Sequence, residues 1–449
     1  MLRFTWFPKM IPTLFSNILI FLVISHASAQ NSYAGSGLTD DLVGWIGSLP
    51  NPGAINSKLL SEDFATMGAG FKAKSDIGEN ETLVEIPLDA AMSSKTAGDS
   101  AIGEVFEGRK FNDFQALVLH LMYEESDPKS KYSAFIQTLP ESVDLPFTWN
   151  DEALEALNGS RLNDYVLTQR GYINKDYEEL FAPVFESDPV KFPKELFNKE
   201  KYVWALSIVL SRAHRFSVPG RQGTIPVLIP VLDIFNHDNV GGRVESDSEK
   251  GVFRLSATRA YKEGEQVYAS YGQSMGNFEL LYNYGFVLPA NPEDAISVNF
   301  KVFDDAFAEI RKSMLKALKL PQQASYLVKK GQALPSDLLK TLRVQVLRAA
   351  DFDKFPLVAE GPVSLQNELE TLHQLLGTFK ALLNRYPNSA TQDTELLMSE
   401  GGLERKLAYS VFYRRAEKTI VEDGIKNIFE LWNSLLLAKF TEKAAPAIF

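Results

Sequence analysis

Three textures alternate along the chain. After Thr39 and Asp40, the positions of Leu42, Val43, Trp45 and Ile46 predict a short, capped amphipathic helix. From Ala69 to Met92, with Gly68, Gly70 and Gly78 as punctuation, short runs such as Thr82-Leu83-Val84-Glu85-Ile86 alternate as half-buried strands do. Phe114, Leu117, Val118, Leu121 and Met122 then recur at helical spacing between Phe111 and Glu125. Helix and loop continue to about Arg215, with Tyr202 to Leu206 expected inside a core helix. Strand texture returns at Ile225 and leads into Asp233-Ile234-Phe235-Asn236-His237. A strand over Val252 to Thr258, a turn at Lys262-Glu263-Gly264 and an extended run from Gln266 to Tyr271 follow.

After about residue 303 the pattern is helical. Leu365, Leu369, Leu372, Leu376, Phe379 and Leu383 mark one long helix, and Leu407, Val411, Ala416 and Ile420 mark another. The order predicts an α+β chain. A β-rich unit over 30–302, interrupted by a helical insertion at about 95–215, precedes an all-α domain over 303–449. No internal repeat and no low-complexity tract interrupts it.

The first 29 residues read differently. Arg3 and Lys9 precede an apolar run, Ile11 to Ile24, and Ala27-Ser28-Ala29 offers a cleavage site, the parts of a secretory signal peptide. Pro12, Ser16 and Asn17 interrupt a run already short of the roughly 20 residues of a membrane span, so no stable span is expected after cleavage. The expected route is the secretory pathway, ending secreted, in the endomembrane system, or in the plastid of an alga with complex plastids. The sequons at Asn80 and Asn158 would be open to glycosylation on that route.

Composition narrows function more than fold. With 45% hydrophobic and 23% charged residues among 449, the chain is an ordinary folded protein of two or three domains. A net charge of −11 offers no basic footprint for nucleic acid. The absence of cysteine excludes disulfides, thiolate nucleophiles and Cys-ligated zinc or iron–sulfur centres.

Polar clusters remain. Asp233 to Asp238 follows a strongly apolar strand, a usual place for a site, although alone it reads equally as an Asn/Asp-rich turn. Asp233 and His237 are too few to hold a metal, and none is expected. Tyr271-Gly272 and Tyr284-Gly285 could each be ordinary strand-end aromatics, and Gly68-Ala69-Gly70 alone is weak evidence for anything.

In this order, however, the phrases resemble the SET-domain methyltransferases, in the branch of the Rubisco large-subunit lysine methyltransferase and related actin enzymes. Leu228 to His237 and the Tyr271/Tyr284 block carry the resemblance. Gly68 to Met92, Tyr132 to Pro140, Trp204 to Arg212, Gly331 to Arg343, Asn384 to Ser389 and Arg415 to Lys418 extend it over most of the chain. The resemblance implies S-adenosylmethionine as cofactor, held at Met67, Gly68, Ala69, Asn236 and His237, with Tyr284 packing near it and the target channel. It further implies Tyr271 as the catalytic tyrosine and Arg212 and Asp233 beside the substrate pocket. The implied partner is a protein docked on the helical C-terminal domain, and the implied enzyme is a monomer.

One position departs from the pattern. Lysine-specific members carry an aromatic two residues after the arginine matching Arg212, where this chain has His214, unless Phe216 takes that role. The branch includes histidine methyltransferases, so the acceptor is lysine or histidine. The rival reading is a SET scaffold that binds a peptide without modifying it.

Overall fold

The computed structural model describes residues 37–64, 67–218, 223–399 and 402–444, with side chains as far as residue 437. The leader assigned to residues 1–29 lies outside the described residues. The chain divides into two compact units. One takes the chain up to Asn150, then Asp164–Met275 and Glu279–Val287; the other takes Asp151–Asn163, Gly276–Phe278 and everything from Leu288.

The first unit is built on short strands: β1 (Ala54–Ile55), β2 (Leu59–Phe64), β3 (Gly68–Ala73), β4 (Thr82–Pro87), β5 (Met92–Ser93), β6 (His214–Phe216), β7 (Ile225–Leu228), β8 (His237–Gly242), β9 (Val244–Asp247), β10 (Val252–Ser256) and β11 (Gln266–Val267). All but β8 form three small antiparallel sheets, ordered β1-β4-β10-β9, β11-β3-β2 and β5-β7-β6, while β8 makes only isolated bridges to Ala269. Strand β4 does not alternate as expected: Leu83 and Val84 are sealed in the core together, as are Ile86 and Pro87, and only Thr82 and Glu85 are half-buried. Strand β10 ends at Ser256, two residues short of the expected Thr258, because its register with β4 shifts between Leu255 and Ser256.

The helices obey their caps. Thr39 Oγ1 accepts from the Leu42 amide at 3.1 Å and starts the helix Asp40–Ser48. Asn112 and Gln115 form a reciprocal capping box, both bonds 2.9 Å, which sets the next long helix at Asp113–Ser126. Tyr202 lies in the helix Lys199–Arg212 and donates to Asp176 at 2.8 Å, so its buried hydroxyl is satisfied.

The second unit corrects one expectation. It is helical except for a hairpin of β12 (Ala295–Lys301) and β13 (Gln323–Lys329), paired over seven positions. The all-α description therefore needs one strand pair added. The side chains of Ile296, Val298 and Val328 enter the same core as Leu338, Leu372 and Phe379, which explains why two strands survive among helices. The helices Leu365–Leu383 and Arg405–Ala444 carry the two predicted stripes.

This unit also captures a segment from the middle of the chain. Ser410 Oγ donates to the Ala153 carbonyl at 2.7 Å, and Arg414 Nη1 donates to the Ala156 carbonyl at 2.8 Å. A Cβ at Gly159 would sit 2.5 Å from the Arg385 carbonyl oxygen, so that glycine permits the close approach. Among the described residues, no helix is long and apolar enough to cross a membrane.

Two histidines of the first unit give a pH dependence. Burial pushes His120 down to about 3 and His214 down to about 4. In the unfolded chain each titrates near ~6.5. As pH falls below that value, the unfolded state binds protons that the folded state refuses, so stability present above it is lost. Burial raises Asp233 to about 6, which acts in the opposite sense, its contribution fading as pH rises from about 4 to about 6. His237, also held below the usual histidine range by burial, acts in the same sense as the other two, and the three together oppose Asp233, so the melting temperature should fall between pH 7 and 4, and His120→Gln should flatten that fall. An unchanged slope in the variant would assign the acid sensitivity elsewhere.

Candidate active site

Strand β7 is buried at every position and delivers the chain to the site. Val231 then turns it with φ 70° and ψ −40°. A β-branched residue with positive φ is strained by roughly 1–3 kcal/mol, and such strain persists only where surroundings enforce it. Val231 is itself fully buried, which supplies that enforcement. The turn projects Asp233 on a single 3₁₀ turn, Leu232–Ile234, and releases Asn236 and His237 beyond it.

Asn236 donates from Nδ2 to the Ala69 carbonyl at 3.2 Å, joining the polar phrase to β3. A Cβ at Gly70 would lie 2.5 Å from that same nitrogen. Gly70 is thus glycine because the amide occupies the space a side chain would need. Gly68 opens the strand with φ +74°, a conformation that also favours glycine. Met67 is exposed, and its amide bonds the Phe64 carbonyl at 2.8 Å.

The backbone of Tyr268 to Tyr271 leaves the sheet after Val267. The expected run to Tyr271 is therefore extended but not a strand. Its hydrogen bonds go instead to the segment 236–242: Ala269 N to Asn236 O at 3.0 Å, Gly242 N to Tyr268 O at 2.9 Å and Ser270 N to Gly242 O at 2.7 Å. A Cβ at Gly241 would meet the Ala269 backbone at 2.6 Å. The Gly241-Gly242 pair makes this crossing feasible, and adjacent glycines inside an otherwise extended run were its one visible signal.

The crossing brings the aromatic groups together. Tyr271 donates its amide to His237 Nδ1 at 3.1 Å and its hydroxyl to the Phe235 carbonyl at 2.8 Å. The first bond makes Nδ1 an acceptor and assigns the ring proton to Nε2. Nε2 is buried and makes no hydrogen bond of acceptable geometry. Burial holds His237 below the usual histidine range, partly offset by Asp238 and Asn239. Tyr271 lies 4.7 Å from Tyr284 and 5.0 Å from His237, ring centre to ring centre, with Phe286 at 6.4 Å. Phe286, which follows Gly285 in the sequence and carried no signal of its own, is a member of this cluster. Burial pushes Tyr284 up to about 12, so it stays a neutral phenol at physiological pH.

Arg212 and Asp233 meet separately, Nε to Oδ2 at 3.5 Å, with the Asp233 side chain only 3% exposed. Arg212 Nε and Asp233 Oδ1 are both buried without a hydrogen bond. Burial raises Asp233 to about 6 against the pull of Arg212. His214 lies on β6 with Phe216, their rings 6.2 Å apart, and Phe216 packs on Phe253 at 5.0 Å. Among the described residues no group of three or more His, Asp or Glu is placed to hold a metal ion.

The structure thus joins Asn236 to Ala69, His237 to Tyr271, Tyr271 to Tyr284, and Arg212 to Asp233. An imidazole N–H without a well-aligned hydrogen bond and a backbone cradle kept open by glycine fit a polar organic ligand with acceptor groups.

The chain is similar to known proteins over most of its length. Residues 303–421 match the family described as Rubisco LSMT substrate-binding. The chain is 26% identical over 381 residues to the chloroplastic Rubisco large-subunit N-methyltransferase of Nicotiana tabacum, covering 81% of this chain and 76% of that one. It is 27% identical over 405 residues to the chloroplastic [fructose-bisphosphate aldolase]-lysine N-methyltransferase of Arabidopsis thaliana, covering 85% and 81%. The actin-histidine N-methyltransferase of Danio rerio is 27% identical over 388 residues, covering 81% and 64%. The crystal structure of the SET domain of LSMT bound to methyl-lysine and AdoHcy superposes with a TM-score of 0.72 at 22% identity, over 89% of this chain and 94% of that one. In its fold the chain is similar to the solved SET-domain structures of LSMT, and along most of its length its sequence is similar to the Rubisco large-subunit and actin-histidine methyltransferases.

Proposed function

We propose that this protein is an S-adenosylmethionine-dependent protein N-methyltransferase acting on a non-histone protein, with lysine as the acceptor. The observation that carries it is the junction of the adjacent pair Asn236-His237 with Tyr271, 34 residues further on, held together by the backbone crossing at 268–271. A peptide-binding scaffold without catalysis has no need of that junction.

The cofactor supplies an electrophilic methyl group on a sulfonium. Asn236 and His237 would hold its polar end, with His237 Nε2 as donor, and Met67, Gly68 and Ala69 would offer it backbone groups. The Tyr271 hydroxyl is committed as a donor to Phe235, which leaves its oxygen lone pairs for the electron-poor methyl. Tyr284 narrows the channel without adding charge. Arg212 and Asp233 flank the acceptor. The acceptor nitrogen must arrive with its lone pair free. For lysine at pH 7 that costs about 4.6 kcal/mol, since its reference pKa is about 10.4. An apolar, tyrosine-lined channel beside a cation opposes the ammonium and supplies part of that cost.

Histidine is the second reading, favoured by His214 at the position where lysine-specific members carry an aromatic ring. An imidazole acceptor is already neutral above about pH 6.5. The two acceptors therefore differ in pH profile. A lysine enzyme should accelerate steadily from pH 7 to 9, whereas a histidine enzyme should level off. Rubisco, fructose-bisphosphate aldolase and actin are the first acceptors to try, with mass spectrometry locating the added methyl. A methyl on histidine would overturn the lysine assignment, and a catalytically dead chain with intact peptide binding would favour the scaffold.

Asn236→Ala or His237→Ala should weaken cofactor binding by about 1–3 kcal/mol, the usual cost of an unpaired buried polar partner. Unchanged affinity in both variants, measured by calorimetry, would show that the clamp lies elsewhere. The docking partner assigned to the C-terminal domain is a folded protein, and the enzyme is read as a monomer. Entry by a secretory leader, with a plastid as one destination, rests on residues 1–29. The plant relatives are named chloroplastic, which is compatible with the plastid route.

A further inference from the structure

In an antiparallel pair, residues that exchange both backbone hydrogen bonds alternate with residues whose N–H and C=O point away from the partner. In the β12–β13 hairpin two flanking bonds fix which is which. Val302 donates to the Gln322 carbonyl at 3.2 Å, and Lys330 donates to the Asp294 carbonyl at 3.0 Å. Both continue the register in which Ile296 faces Val328 and Val298 faces Tyr326. The even-numbered residues therefore bond across the pair, and the odd-numbered ones turn their backbone groups outward.

On β13 the outward residues are Gln323, Ser325, Leu327 and Lys329. Among the described residues, no group of the protein accepts from their N–H groups, and of their carbonyls only that of Lys329 takes a bond, from Gln332 at 3.3 Å. Gln323, Ser325 and Leu327 are exposed, Leu327 by 53%. Bulges, prolines and charges are the usual devices that blunt an open edge. Strand β13 has no proline and an unbroken register, and its one charge, Lys329, lies at the end and is held by Glu293 at 2.7 Å. Strand β12 differs. Ala295 and Ser297 are half-buried, and its outward series ends where the Phe303 amide donates to Gln345 Oε1 at 3.4 Å.

The free groups select the ligand. Gln323, Ser325 and Leu327 each offer an N–H and a C=O, spaced about 6.8 Å apart, twice the rise of a strand residue. Another extended chain matches that spacing, and a helix or a small apolar molecule does not. Leu327 on the solvent face favours an apolar cross-strand neighbour. We propose that β13 takes an extended segment of the protein partner as an added strand, with an apolar side chain beside Leu327. This rests on the reading of the C-terminal domain as the docking unit and names the edge that it uses.

The test selects short random linear peptides, displayed on phage, against the immobilised full-length protein and titrates the synthesised winners calorimetrically. Wild type is compared with Ser325→Pro and Leu327→Lys, with S-adenosylmethionine as the control ligand. Proline removes the outward N–H of Ser325 and leaves Ala324 and Tyr326 paired with β12. Lysine at 327 blunts the edge without touching the backbone. Both variants should lose peptide affinity at least about tenfold while keeping cofactor affinity. On the wild type, N-methylating the peptide at one alternate set of residues, and not at the other, should cost at least about tenfold, because main-chain bonds carry the pairing. That arm needs no variant, so it stands even where proline prevents folding. Failure to select any peptide would overturn the site, as would winners indifferent to N-methylation or unaffected by both variants, which bind elsewhere. A wild-type dimer in sedimentation that Ser325→Pro dissolves would assign the edge to a second copy and overturn it equally. A protein that takes peptide at β13 but binds no S-adenosylmethionine would keep the edge and fail the methyltransferase reading alone.

Discussion

Replacing Tyr271 by Phe is expected to cut turnover at least about tenfold while leaving cofactor affinity nearly unchanged. Tenfold corresponds to about 1.4 kcal/mol of transition-state stabilisation. The ring packs against Tyr284 and His237 through its faces, contacts that phenylalanine keeps. Only the hydroxyl is lost, with its 2.8 Å bond to the Phe235 carbonyl. An oxygen acting on the transferring methyl matters more in the transition state than in the ground state, so the loss should fall on turnover. A modest drop in melting temperature is expected as well, since that carbonyl loses a donor. Equal rates for the variant and the wild type on any accepted substrate would remove Tyr271 from its role.

The largest stability effect is expected at Asp393. Its side chain is fully buried and accepts from Arg414 at 2.8 Å and from Lys418, both themselves buried. Arg414 also reaches the Ala156 carbonyl and Lys418 the Asn388 carbonyl. One turn away, Glu417 accepts from Tyr386 at 2.8 Å and Tyr413 at 2.9 Å, and burial raises its carboxyl above the usual range. Asp393→Ala would leave two buried cations without their shared anion, which typically costs about 3–5 kcal/mol. Chemical denaturation should show that loss, whereas a change below about 1 kcal/mol would mean the cluster is hydrated or rearranges freely. The same packing bears on truncation. A chain ending near Pro292 strands Ala153, Leu154 and Leu157, which are buried in the second unit. Such a truncation should lose solubility, so it cannot serve as a clean test of substrate docking.

The site was legible where function is written in local phrases. Asp233 to His237 and Tyr271 to Tyr284 each stood out by composition, and the resemblance they carried supplied their grouping. What the sequence did not display was how they meet. The crossing of 268–271 over 236–242 pairs backbone groups some 30 residues apart in the chain, and hydrogen bonds of that kind leave no periodic trace. The hairpin of β12 and β13 was hidden similarly, because a helix, Ala308–Ala317, separates its strands. The capture of 151–163 by the second unit rests on single contacts such as Ser410 to Ala153, invisible to any local pattern. His120 shows the same limit at side-chain scale. A lone histidine among Leu117, Leu119 and Leu121 reads as core, and only the folded structure shows two ring nitrogens without a hydrogen bond.

Calorimetric titration of the full-length protein with S-adenosylmethionine tests the central claim most directly. The geometry at Asn236, His237 and Tyr271 predicts saturable one-site binding that Asn236→Ala weakens by about 1–3 kcal/mol and that Tyr271→Phe leaves intact. Absence of saturable binding by the folded wild-type protein would contradict it.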